Sequence, residues 1–179
     1  MDKFIQPIVI GRYYLVAELS KIIPEDNLET YISHLGEKDT WKLFEAISVC
    51  YRNNSVFRHV QDVAYSWTEA TLNAEEIYLS DVNEYVNNIL RLPEINYHSV
   101  RFCEYILKSK DSRLMKEFRP GQPKYSKYIA ITENERVKII DGIHRLVGQV
   151  LDKNSNVELF LGSKLQPAVT DSNQNEAKI

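Results

Sequence analysis

Tyr128-Ile129-Ala130-Ile131-Thr132-Glu133-Asn134-Glu135-Arg136-Val137-Lys138-Ile139-Ile140-Asp141-Gly142-Ile143-His144-Arg145-Leu146 is the stretch whose reading decides the fold. Two β-rich runs, Tyr128 to Ile131 and Val137 to Ile140, flank the polar connection Thr132 to Glu135, a pattern that predicts a hairpin. Past Asp141-Gly142, the residues Ile143, Leu146, Val147, Val150 and Leu151 recur at i, i+3, i+4, i+7 and i+8. That is the apolar stripe of an amphipathic helix packed on a sheet. A hairpin running straight into such a helix predicts an α+β fold.

Working outward, Asp152-Lys153-Asn154-Ser155-Asn156 ends the helix and Val157 to Leu161 reads as a further strand. Residues 163–179 are polar without periodicity and read as a loose tail. Upstream, Pro120-Gly121-Gln122-Pro123 is a hard loop. Before it, Asn96 to Leu107 and Val82 to Leu90 carry helical patterns, and Ile77-Tyr78-Leu79 is a short strand. Residues 76–162 therefore predict a compact mixed sheet with helices. Residues 1–75 predict a mostly helical region packed on it, with helices over Glu25 to Leu35, Thr40 to Tyr51 and Ser55 to Trp67. Asp39 or Thr40 is the expected cap of the second, and Leu43, Phe44, Ile47 and Cys50 fall on its inner face. Ile8-Val9-Ile10 reads as a strand stopped by Gly11, and Trp41, Phe44, Tyr65 and Trp67 read as core aromatics.

The chain has 179 residues, 44% hydrophobic and 26% charged, enough for one domain with an elaborated flank. This composition excludes collagen-like, disulfide-framework and wholly disordered classes. The first residues lack a signal peptide's basic and apolar blocks, and no apolar run is long enough to span a bilayer, so a soluble cytoplasmic protein is expected. Cys50 and Cys103, the two cysteines, read as buried thiols in apolar helices.

The net charge of −3 averages unlike parts. Residues 1–75 carry 7 basic and 11 acidic residues, whereas residues 76–162 carry 13 and 12. Within the latter, residues 101–127 hold Arg101, Lys108, Lys110, Arg113, Lys116, Arg119, Lys124 and Lys127 against only Glu104, Asp111 and Glu117. Such a run is either a solvated face or a DNA-backbone contact.

Asp141-Gly142-Ile143-His144-Arg145 carries the chemistry. A strand that turns into a helix leaves the first helical N–H groups unpaired and aimed at one spot, where the helix dipole also favours an anion. Gly142 lets a ligand approach the backbone, Ile143 and His144 present N–H groups, and the fork of Arg145 matches phosphate oxygens. Asp141 either caps the helix or holds a metal or hydroxyl. Glu133 or Glu135 is expected to swing toward the helix start, where a carboxylate activates water or helps Asp141 hold Mg²⁺ on a nucleotide. The bland alternative is that Asp141 caps, Gly142 turns and the rest decorate the surface.

Asp141-Gly142-Ile143-His144-Arg145-Leu146, with Gln122-Pro123 before the hairpin, resembles the ParB/sulfiredoxin superfamily over roughly Glu76 to Gly162. The resemblance implies nucleotide binding at the helix start. Sulfiredoxins place a catalytic cysteine where this chain has Ile143, chromosome-partitioning members carry a Gly-Glu-Arg-Arg box, and free-serine kinases carry Asp-Gly-His-His-Arg. The helical N-terminal region and the size are similar to plasmid fertility-inhibition proteins of the oncogenic-suppression type. That likeness implies ATP hydrolysis, DNA cleavage and a block of conjugative transfer through a type IV secretion system.

The expected function is accordingly an ATP phosphohydrolase, with DNA binding or DNase activity on the basic run. Catalytic candidates are Asp141, Glu133, Glu135, His144 and Arg145, and Gly142 to Arg145 form the nucleotide site. The alternative is a binding protein without turnover, in which the acidic N-terminal region docks on a partner such as a coupling ATPase. A structural adaptor is the third reading.

Overall fold

The computed structural model describes residues 3–23, 27–51, 53–78, 101, 103, 126–151 and 156–165. The expected helices over Val82 to Leu90 and Asn96 to Leu107 and the Pro120 to Pro123 loop lie essentially outside these residues, as does the tail from 166 on. The fold is α+β, with N-terminal helices and one six-stranded mixed sheet.

The chain opens with β1 (Phe4–Ile5) and α1 (Pro7–Leu19). Ile8-Val9-Ile10 is thus helical and not a strand. Pro7 occupies the first helical turn, where its missing N–H costs nothing and its fixed φ is already helical. Gly11 does not end an element; it lets α1 press on a neighbouring helix, since a Cβ there would lie 3.0 Å from Phe44. That neighbour is α3 (Glu37–Cys50), which follows α2 (Leu28–His34) and precedes α4 (Asn54–Gln61). α3 begins before the expected cap, with Gly36 at the N-cap position, and Thr40 is buried inside it, donating its hydroxyl to the Gly36 carbonyl at 3.0 Å.

The pattern expected to remain helical to Trp67 stops at Gln61, and Tyr65–Asn73 is strand β2. Burial reads as alternation there because Tyr65 and Trp67 face the core while Ser66 and Thr68 do not. A 3-10 turn over Ala74–Glu76, capped by Asn73, leads to β3 (Ile77–Tyr78). The hairpin forms as expected from β4 (Tyr128–Glu133) and β5 (Arg136–Asp141), followed by α5 (Ile143–Leu151) and β6 (Asn156–Lys164). β6 runs two residues into the segment read as tail.

Strand order is β1-β2-β6-β4-β5-β3, with β4 parallel to β6, β3 parallel to β5, and the remaining pairs antiparallel. Three residues link Asn73 at the end of β2 to Ile77 at the start of β3, four Cα-to-Cα steps with a reach of about 14 Å at most. A flat sheet would set those strands about 19 Å apart. The sheet therefore curls. β2 pairs with β6 along its full length, so residues on both sides of position 75 share one sheet.

One sheet face packs on the N-terminal helices through Ile10, Tyr14, Phe44, Val56, Val60, Trp67, Ile129, Ile131, Ile140 and Phe160. The other receives Leu146 and Val147 of α5 against Ile77, Ala130, Ile139, Val157 and Leu159. Phe44 and Trp67 are fully buried, as core aromatics should be. The cysteines are not: Cys50 is exposed at the end of α3, and Cys103 is partly exposed with its thiol on the Ala74 carbonyl at 3.2 Å. Cys50 lies off the buried stripe of α3, which runs through Thr40, Phe44 and Ser48. Among the described residues no helix is long and apolar enough to cross a membrane.

Candidate functional site

β4 begins and β5 ends at the same end of the hairpin, so Lys127, Tyr128 and Asp141 come together there. A register shift between Ile129 and Ala130 marks a β-bulge, with Ile129 opposite Asp141 and Ala130 opposite Ile139. Strict alternation would put Asp141 on the Ile139 face, under α5. The extra residue re-aims it toward the N-terminal helices. There the side-chain amide of Asn53, in the link between α3 and α4, donates to Asp141 Oδ1 at 3.2 Å.

Gly142 then turns the chain at φ +95°, the left-handed region where glycine is favoured. A Cβ at this position would sit 2.6 Å from the Tyr128 ring and 2.8 Å from Arg145 Nη2. The Gly142 carbonyl accepts the first α5 bond, from Leu146 at 3.0 Å. Arg145 folds back over this turn. Its guanidinium lies 5.1 Å from the centre of the Tyr128 ring, donates to the Lys127 carbonyl at 3.3 Å and stands 3.5 Å from Asp141 Oδ2.

The Tyr13 hydroxyl, from α1, donates to that same Lys127 carbonyl at 3.2 Å and accepts from the Lys127 N–H at 2.7 Å. Tyr128 in turn donates to Gln149 at 2.6 Å. Lys127 Nζ bonds Glu69 of β2 at 3.0 Å and lies 5.1 Å from the Phe160 ring centre.

Burial raises the Asp141 carboxyl above its ordinary range; the Arg145 charge opposes this, the Glu18 charge adds to it, and Lys21 and the Gly142 N–H oppose it. Burial likewise raises the Tyr13 hydroxyl, against the pull of Arg145, and pushes Tyr128 up to about 12. Tyr14 is raised by burial first and the Asp141 charge second. All three tyrosines stay neutral near pH 7 and act as hydrogen-bonding groups. A carboxyl whose proton affinity is raised this way suits proton transfer.

The expected set separates. Asp141, Gly142, Ile143 and Arg145 meet at one corner. Of His144, only the backbone, in the first turn of α5, lies among the described residues. Glu133 and Glu135 go elsewhere. The hairpin turn is the tight two-residue kind, with Asn134 at φ 49° and Glu135 at φ 61°, and Glu133 pairs with Arg136. Six residues of extended strand then separate Glu135 from Asp141, about 20 Å. Glu133 is bound instead by the buried Lys138 at 2.9 Å. The expectation that one of them swings to the helix start fails because a two-residue turn pins both at the hairpin's far end.

A magnesium ion takes oxygen ligands, among them one or two carboxylates. Asp141 and Glu135 are too far apart to share one, and both Asp141 oxygens already face protein donors, Asn53 and Arg145. Among the described residues there is no group of three His, Cys, Asp or Glu suited to a metal. These residues do not fit a magnesium site.

Of the basic run, Arg101 and Lys127 lie among the described residues. Arg101 rests 5.9 Å from the Tyr78 ring centre at the β3 edge. Lys127 is at the corner. Lys108, Lys110, Arg113, Lys116, Arg119 and Lys124 lie outside the described residues.

The corner holds groups that sequence reasoning missed: Tyr13, Asn53, Tyr128 and, through its charge, Glu18. Asn53 is 88 residues from Asp141 and Tyr13 is 114 from Lys127, so no local pattern marks them. Comparisons of the chain with protein-family models, with curated proteins and with solved structures find no match.

Proposed function

We propose that this chain binds a nucleotide through its phosphates at the turn from β5 through Gly142 into α5, with ATP as the ligand, as the ParB/sulfiredoxin resemblance implies. The observation that carries the reading is convergence: the left-handed Gly142, the first backbone N–H groups of α5 at Ile143 and His144, and the Arg145 guanidinium share one corner. Arg145 is the direct phosphate contact, since a planar fork pairs with two phosphate oxygens.

In the hydrolase reading, Asp141 is the group that takes a proton from an attacking water, for which its burial and raised proton affinity suit it. Glu133 and Glu135 take no part. A second reading, nucleotide binding without turnover coupled to a protein partner such as a coupling ATPase, draws support from the same placement, which leaves Asp141 alone of the expected carboxylates at the corner. DNA binding or cleavage, and with it a block of conjugative transfer, would rest mainly on basic residues beyond those described.

Isothermal titration of the full chain with ATP, paired with a phosphate-release assay in Mg²⁺ buffer, tests this. Wild type should bind, and Arg145→Ala should weaken binding about tenfold or more while remaining folded. Phosphate release abolished by Asp141→Asn at saturating ATP identifies a hydrolase. Binding without release identifies the second reading. Absence of ATP binding by wild type at millimolar concentration overturns both.

A further inference from the structure

The two groups that hold Arg145, the Asp141 carboxylate and the backbone of Lys127, are each held in turn by the N-terminal helical region. Asp141 Oδ2 faces Arg145 at 3.5 Å while Oδ1 accepts from Asn53 at 3.2 Å. The Lys127 carbonyl accepts from Arg145 at 3.3 Å, and the Tyr13 hydroxyl holds the same residue's backbone at both groups, donating to its carbonyl at 3.2 Å and accepting from its N–H at 2.7 Å. Tyr13 is itself fixed edge-on against Phe160, with ring centres 5.2 Å apart. From these contacts we infer that Asn53 and Tyr13 are positioning residues, which aim the Arg145 guanidinium through Asp141 and through the Lys127 peptide, so that the phosphate corner is complete only when the N-terminal helices are docked on the sheet.

The inference rests on the nucleotide reading for its ligand but not for its geometry. An arginine side chain has many rotamers, and ordering it costs free energy that each binding event must otherwise supply. Two fixed acceptors meet that cost at folding. Outer groups of this kind, where they orient ligand-binding side chains elsewhere, are worth about tenfold to a hundredfold in affinity. Asn53 also acts electrostatically: a donor to the ionised Asp141 carboxylate favours its charge, and hence its pairing with Arg145. The other charged or titratable groups facing Asp141 are Arg145 from α5, Glu18, Tyr13 and Tyr14 from α1, and Lys21 just beyond it.

The test uses the full chain with Asn53→Ala, Asn53→Ser as a milder partner, and Tyr13→Phe. Two quantities are read: ATP affinity, alone and combined with Arg145→Ala, and the titration midpoint of the Asp141 carboxyl by carbon-detected NMR. Each single variant should weaken ATP binding about tenfold, and adding it to Arg145→Ala should cause no further loss. Asn53→Ala should raise the Asp141 midpoint, whereas a merely structural role would lower the melting temperature and leave that midpoint in place. If wild type binds ATP, and variants that stay folded bind it equally well with an unmoved Asp141 midpoint, the positioning role is overturned. If wild type binds no ATP yet Asn53→Ala moves the midpoint, the positioning stands and the nucleotide reading falls.

Discussion

Replacing Gly142 with alanine tests the corner most directly, because two independent costs meet there. The first is conformational: at φ +95° an L-residue sits in sparsely populated backbone space, which costs about 1–3 kcal/mol. The second is steric. The added Cβ would lie 2.6 Å from the Tyr128 ring, and that ring cannot easily retreat, being buried in the α5 face of the sheet with its hydroxyl bonded to Gln149 at 2.6 Å. Forcing such a contact costs about 1–3 kcal/mol. Arg145 Nη2, 2.8 Å away, is the far end of a flexible side chain and can swing aside, which relieves its own clash but removes it from Lys127 and Asp141. The sum is a loss of about 2–6 kcal/mol, a large part of a typical domain's 5–15 kcal/mol. Urea unfolding followed through Trp41 and Trp67 measures it. Gly36→Ala is the steric control, because a Cβ there meets nothing within 4 Å, and as the N-cap of α3 it should cost no more than about 1 kcal/mol. A Gly142→Ala loss below about 1 kcal/mol with an unchanged denaturant slope would refute the geometry assigned to this turn.

Other consequences can be measured on the same footing. Glu135→Gly should stabilise by about 1 kcal/mol in urea unfolding, since it relieves a left-handed residue in the hairpin turn, and should leave ATP affinity unchanged; a loss of affinity would return Glu135 to the site. Gly162→Ala sets a Cβ 2.8 Å from the buried Trp67 ring and should cost about 1–3 kcal/mol, read as a melting-temperature drop of roughly 2–12 °C. Because Asp141 holds its proton more tightly when folded than when unfolded, the folded state binds more protons just above pH 3.8, and this residue's contribution to stability falls as pH rises through that window. Wild type should therefore gain on Asp141→Asn as pH is lowered from 7, and a constant difference across the range would contradict the buried carboxyl. Glu133→Ala should destabilise more than Lys138→Met, as judged by urea midpoints, since the first leaves a buried ammonium without its 2.9 Å carboxylate and the second removes the charge altogether.

How much was legible follows from the range of each interaction. The β4–β5 hairpin, the Gly142 turn and α5 are built from contacts within about twenty-five residues of sequence, and their periodicities survive in the fold. Helices α2 and α3 were legible for the same reason. At Ile8-Val9-Ile10, β-branched residues read as strand, yet Pro7 and the packing of Gly11 on Phe44 make them helix, a tertiary override of a weak local preference. The run toward Trp67 kept helical spacing by coincidence. What makes it a strand is nine residues of pairing with β6, almost a hundred positions away.

The sequence by itself determined that a strand turns through Asp141-Gly142 into an amphipathic helix and that Arg145 lies in that helix's first turn, because dihedral limits and hydrophobic periodicity act over a few residues. Tertiary structure alone decided what Asp141 and Arg145 meet. The bulge at Ile129 turns Asp141 toward the N-terminal helices, the two-residue turn carries Glu133 and Glu135 to the far end, and docking of α1 and the α3–α4 link brings Tyr13 and Asn53 to the corner. Those encounters depend on the register of a curled six-stranded sheet and the packing of helices across it. Both are set by burial of the whole core, which no local stretch encodes.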